Sequence, residues 1–232
     1  MQSDTMPQVE RAGVVEQVFV MKVYWWMCIA LLTTGLVSYY IASSPALLTT
    51  VIRNQALFFG LIIGQLVLVI ALSAAIARMS ATVATALFFL YSALTGVTLS
   101  VVFIAFTTES LATTFFVTAG TFGAMSVYGF ATKRDLTTIG NLLIMGLFGI
   151  IIASVVNIFI RSSFINTITS YIGVLVFVGL TAYDTQKIKR MGGMLREGTE
   201  EEKKGAIIGA LALYLDFINL FLMLLRFFGR RR

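Results

Sequence analysis

The sequence predicts an all-α integral membrane protein, a bundle of seven transmembrane helices over residues 23–228. Of its 232 residues 58% are hydrophobic and 12% charged, and the mean hydropathy is +0.92, far from the balance of a soluble domain. A spanning helix needs roughly 20 predominantly apolar residues, and the chain divides into seven runs of about that length. Most charged residues lie between those runs or at the chain ends, so no sizeable soluble domain fits.

Residues 1–22 read as an N-terminal cytoplasmic tail. They lack the short apolar core and small-residue cleavage site of a removable signal peptide, so the first run is expected to remain as a helix. The spans follow at 23–42, 56–77, 82–106, 111–131, 137–160, 164–186 and 205–228, and 229–232 form a basic C-terminal tail. Tyr24, Trp25 and Trp26 open the first span as an interfacial aromatic anchor. Glycines such as Gly120, Gly123, Gly146, Gly149, Gly173, Gly179 and Gly209 let helices approach closely in lipid. Pro7 and Pro45 both lie outside the spans. The one long connection, 187–204, carries six basic and four acidic residues and reads as a solvated cytoplasmic segment.

The side of each loop follows from its Lys and Arg. Arg11, Lys22, Arg78, Lys133, Arg134 and the bases of 187–204 share one side, against Arg53 and Arg161 on the other, which puts the N-terminus in the cytoplasm. Seven crossings then place Arg226, Arg230, Arg231 and Arg232 outside. That count is unfavourable for the last segment, which either crosses within the bundle or does not cross fully; its length favours crossing.

Composition removes several function classes. The net charge of +6 reflects loop and terminal bases of a membrane protein and implies no nucleic-acid partner. The chain has no His, which excludes His-ligated zinc or haem, His-based nucleophilic catalysis and a His pH switch. Proton sensing must therefore use carboxylates. The single Cys28 lies in an apolar run and reads as a packing or lipid-facing residue. No ATP-binding motif suggests pumping, and no cofactor is expected.

Nine of the eleven acidic residues fall in tails or loops. The other two are Asp216, near the middle of the seventh run in LALYLDFINLF, and Asp184, near the cytoplasmic end of the sixth in VGLTAYDTQKIK. An ionisable group within a span is costly and marks function. The sixth and seventh spans run in opposite directions, so the two acids can meet in the cytoplasmic half if the helices are neighbours. Asn219 shares a helical face with Asp216, and Arg78, ending the second span, reaches the depth of Asp184. An Arg to carboxylate pair there would close a cytoplasmic mouth; the Arg favours the ionised acid, whereas burial or a second carboxylate favours the protonated one. Two close carboxylates titrate together and offer oxygen to a hard cation such as Ca²⁺, held transiently. Gln65, Thr95, Ser100, Ser126, Asn141, Ser154 and Asn157 read singly as interhelical hydrogen bonds rather than pathway groups.

The segment LALYLDFINLFLMLLRFFG at 211–229, with TAYDTQKIK at 181–189, resembles the signature of the Bax inhibitor family, the transmembrane Bax inhibitor motif proteins. ALFFGLIIGQLVLVIALSAAIARMS, LYSALTGVTLS and FGAMSVYGFATKRDL extend the resemblance to its bacterial inner-membrane, YbhL-like branch. The resemblance implies a bundle with the acidic last helix at its centre, and a pH-sensitive Ca²⁺ leak in which Asp184 and Asp216 match the sensing pair and Arg78 the latch. Some relatives carry an acid within the second span, near Gln65 here. No enzyme is expected: intramembrane aspartyl proteases use a Tyr-Asp and a Gly-x-Gly-Asp, and Leu213-Tyr214-Leu215-Asp216 departs from the second. Their Pro-Ala-Leu element is also missing, since no Pro follows Pro45. The other reading is a regulatory protein that binds a membrane partner, such as a quality-control protease or death-pathway factor, without conducting.

Overall fold

A computed structural model describes residues 8–230, with side chains from residue 13. Positions 1–7 of the expected N-terminal tail, and Arg231 and Arg232 of the basic one, lie outside the described residues. The described chain is helical and without strands: α1 (Gln8–Ser43), α2 (Pro45–Arg53), α3 (Gln55–Ala75), a 3-10 turn (Ile76–Arg78), α4 (Ala81–Leu99), α5 (Val102–Ala105), α6 (Thr108–Ala131), α7 (Thr137–Ile160), α8 (Ser163–Met194) and α9 (Glu200–Phe228). Seven of these segments are long and apolar enough to cross a membrane, as the hydropathy pattern predicts. In lipid the backbone must satisfy its own polar groups, and helices do so within one segment.

Burial ranks the seven. The most apolar stretches of the spans built on α3 and α7 bury only 6% of their residues, whereas that of α9 buries 61%, the largest share. Ile62, Ile63, Leu66 and Val67 on α3 and Leu142, Met145 and Phe148 on α7 are exposed, as lipid-facing residues must be. The last helix is the most enclosed, in keeping with a central position.

Two compact units divide the chain. The first comprises residues 1–105 and 188–214, the second 106–187 and 215–232. In the first, Tyr214 of α9 is fully buried, with Phe88 and Tyr91 edge-on at ring distances of 5.9 and 5.8 Å. The Thr34 hydroxyl donates to the Ser92 carbonyl at 2.8 Å. Its single proton thus used, it accepts from the Tyr214 hydroxyl at 2.7 Å. Gln65 donates its amide to the Leu94 carbonyl and the Thr98 hydroxyl, both at 3.2 Å, so it joins α3 to α4. Trp26 meets Phe89 edge-on at 5.8 Å, while Trp25 is exposed.

The expected loop at 187–204 is corrected by the structure. α8 continues to Met194 and α9 begins at Glu200, which leaves only residues 195–199 as the connection. The extension is amphipathic: Ile188 is buried and Gly192 lies against Phe19, with the charges outward. α9 then starts on a Thr-x-x-Glu box, where the Glu202 N–H donates to the Thr199 hydroxyl and the Glu202 carboxylate accepts from the Gly198 N–H at 2.9 Å. Gly198 adopts φ +81°, a conformation suited to glycine. Glu202 is buried and accepts from the Lys22 ammonium at 2.7 Å, so part of the expected solvated charge instead ties α9 to α1.

In the second unit the two ends of α9's neighbours are fixed by hydrogen bonds. The Thr107 N–H donates to the Arg230 carbonyl at 3.0 Å and the Arg230 N–H to the Ser110 hydroxyl at 2.7 Å. Arg226 donates to Asn166 Oδ1 at 3.0 Å and to the Ser170 hydroxyl at 3.1 Å. α9 therefore ends beside the starts of α6 and α8 and runs antiparallel to both.

Candidate functional site

The site grows from the second half of α8 and of α9 in the second unit. Two glycines let α8 sit where it does: a Cβ on Gly129 of α6 would run into the Ala182 carbonyl, and one on Gly140 of α7 into the Tyr183 ring. Two residues beyond Asp184, the Gln186 side chain accepts from the Leu136 N–H at 2.9 Å and donates to the Arg134 carbonyl at 2.8 Å. It satisfies both sides of the α6–α7 turn and fixes that turn to α8. On α9, Phe217 packs edge-on against Phe115 at 5.6 Å and Phe122 at 5.4 Å, both from α6.

Between these supports the side chains of Asp184 and Asp216 come close enough to interact. Asp216 is 4% exposed, and its Oδ2 has no hydrogen-bond partner among the described residues. Asp184 is half-buried and feels the charge of Lys187 one turn on. An ionised carboxylate only accepts, so a carboxyl to carboxyl bond exists only while the pair holds a proton. The arrangement is thus a two-acid unit between α8 and the most enclosed helix, α9.

The other expected site residues make contacts of their own. Asn219 returns its amide to the Leu215 carbonyl of its own helix at 2.8 Å. Gln65 bridges α3 and α4 in the first unit. Arg78 is exposed in the 3-10 turn of that unit. That turn is itself tied to the start of α9: Lys204 donates to the Ala77 carbonyl at 3.3 Å, and Glu200 accepts from the Ala81 N–H. Among the described residues no three His, Cys, Asp or Glu side chains come together as a metal cluster, so any cation at the pair meets two carboxylates. The Gln186 clamp was not foreseen, although its place in TAYDTQKIK, two residues past the acid, was a readable signal.

Comparison with known proteins gives the family. The family profile described as "Inhibitor of apoptosis-promoting Bax1" matches residues 16–232. The chain is 55% identical over 231 residues to the inner membrane protein YbhL of Escherichia coli (strain K12), covering 99% of this chain and 97% of that protein. An uncharacterised protein of Borreliella burgdorferi is 48% identical over 227 residues, 98% of each. A third relative, protein RP147 of Rickettsia prowazekii, is 45% identical over 216 residues, 92% of this chain and 90% of that one. With its seven spans and a match over nearly its whole length, the chain belongs to the Bax inhibitor family of membrane proteins.

Proposed function

We propose that this protein is a passive, pH-sensitive Ca²⁺ leak of the bacterial inner membrane, its N-terminus cytoplasmic, with Asp184 and Asp216 as both sensor and pathway and Arg78 as a latch. The observation that carries the reading is the approach of two acids on α8 and α9, one of them buried; a bond between them needs a shared proton. While the pair is protonated, the bond holds the helices together at that depth. Once the last proton leaves, two negative charges face each other, and the helix arrangement that separates them is favoured. The separated carboxylates attract a hard cation. Ca²⁺ takes six to eight oxygens where it is held firmly, and two carboxylates fall far short, which suits an ion in transit. The turn bearing Arg78 is bonded to the first turn of α9, so displacement of that helix reaches the latch. Within this reading the Asn219 and Gln65 side chains, both bonded to backbone carbonyls, are structural and do not line the path.

The test is Ca²⁺ uptake into dye-loaded proteoliposomes containing only this protein, scanned from about pH 6 to pH 8, where a coupled buried carboxyl pair can titrate. Asp184→Asn, Asp216→Asn and Arg78→Gln are measured alongside. Uptake that depends on pH in the wild type, loses that dependence in either Asn variant and rises in the Arg variant is the expected result. Folded protein that gives no uptake above empty vesicles overturns the leak and favours the regulatory reading, a module that acts on a membrane protease or other partner.

A further inference from the structure

The second unit holds polar groups that neither packing nor the acid pair uses. Along α6, Ser110, Thr114, Thr118, Phe122 and Ser126 recur every fourth residue, and all five are buried, Thr114 and Thr118 completely. From Ser110 to Ser126 the row rises about 24 Å, most of the roughly 30 Å hydrocarbon thickness. Hydroxyls at helix contacts in lipid normally serve interhelical hydrogen bonds. Here the Ser110 hydroxyl accepts from Arg230, and that of Thr118 folds back to the Thr114 carbonyl at 2.7 Å. Among the described residues those of Thr114 and Ser126 have no partner, and neither does Oδ2 of Asp216. A buried polar group without a partner costs about 1–3 kcal/mol, so three of them in one unit call for a ligand such as water or a cation.

The row is interrupted at one place. Phe122 stands between Thr118 and Ser126, and its ring meets that of Phe217, the residue directly after Asp216, with Phe115 on the other side. Phe217 is 4% exposed. An apolar constriction of this kind shuts a polar path by keeping water out.

We infer that the hydroxyl face of α6 is the second wall of the cation path, leading from Asp216 to the end of the second unit where Arg230 meets Thr107, and that the buried rings of Phe217 and Phe122 are the plug that closes it. This rests on the leak reading and adds the route and the gate to it. Opening requires Phe217 to swing off Phe122, which lets water join the carboxylate to the hydroxyls of Thr118 and Thr114. The structure is then the closed state.

The experiment uses full-length protein in proteoliposomes, with Cys28, the only cysteine, changed by Cys28→Ser. Thr114→Cys is placed in this background with and without Phe217→Ala, and labelled with a charged, membrane-impermeant methanethiosulfonate, which needs a hydrated thiolate. The plug predicts that Phe217→Ala accelerates labelling by about tenfold or more, and that Phe217→Leu, which keeps the apolar bulk, does not. The same labelling rate with Phe217 intact and with Phe217→Ala overturns the inference, whatever the flux. Ca²⁺ uptake is read in parallel: Phe217→Ala raises it, while Thr114→Val and Thr118→Val, which keep shape and remove the hydroxyl, lower it severalfold. If wild-type uptake is pH-dependent and needs the acids but labelling does not respond, the leak stands and this route is wrong. Labelling that responds with no uptake in any variant overturns the leak and leaves a hydrated, plugged cavity.

Discussion

Asp216→Asn changes one atom type and tests the logic of the acid pair. In the wild type a bond to Asp184 depends on a shared proton, and its loss sets two carboxylates against each other. At a separation of about 4 Å and an effective dielectric constant of about 20, that repulsion amounts to about 4 kcal/mol. Since 1.4 kcal/mol is a factor of ten, the balance between joined and separated helices shifts by up to about three decades. An Asn amide donates without borrowing a proton, so the variant keeps the contact whether Asp184 is charged or not. Amide hydrogen exchange in residues 181–186 and 213–219, corrected for intrinsic rate, reads this directly between about pH 5 and pH 9, a range that brackets coupled carboxyl pairs. The wild type loses protection as pH rises, whereas the variant stays flat. An equal loss of protection in both refutes the shared-proton argument, because the variant has no second carboxylate to repel.

Three further outcomes follow from the supports of the site and the fold. Gln186→Met leaves the Leu136 N–H without its acceptor and costs about 1–3 kcal/mol; a lowered thermal midpoint in detergent and faster exchange at Leu136 check it. Tyr214→Phe removes the hydroxyl given to Thr34 while keeping both ring contacts, and costs about 0.6 kcal/mol and at most about 1.7, the range for interhelical bonds in membranes. Lys22→Met and Glu202→Gln in a double-mutant cycle couple by about 1 kcal/mol, because the carboxylate is buried but the ammonium is part-exposed; unfolding in mixed micelles that gives strict additivity refutes the tie.

The spans were legible because lipid leaves the backbone few choices, and apolar length alone identifies them. Asp184 and Asp216 were legible for the same reason: an acid within a run stands out by its cost. The ends of α8 and α9 were not. Residues 187–194 and 200–204 are amphipathic helix whose charges mask the buried stripe of Ile188 and Gly192, so hydropathy reads them as loop. Glu202 looked like one of a run of solvated acids, and only the packing of α1 shows that it meets Lys22. Hydroxyls are harder still. Thr114 and Thr118 resemble any interhelical Thr, since whether a Thr finds a partner is decided by the helix opposite, which the sequence of α6 does not contain. Gln65 shows the converse, a polar residue that the sequence reads as an interhelical hydrogen bond and that bonds α4.

The bond between Thr107 and Arg230 bears on how the protein is made. Chains emerge from the ribosome in order, at about 5–20 residues per second, so α6 enters the membrane before α9 has been synthesised. Until then the Thr107 N–H and the Ser110 hydroxyl lack their partners, the hydroxyl face of α6 has no helix against it, and Asp184 has no second acid. Until then the polar face of α6 must turn toward other helices or water. The arrival of α9 supplies the caps, the aromatic ring and the second carboxyl in one step. Quality control that recognises exposed polar faces within the membrane would therefore see this protein as immature until its most enclosed helix is in place.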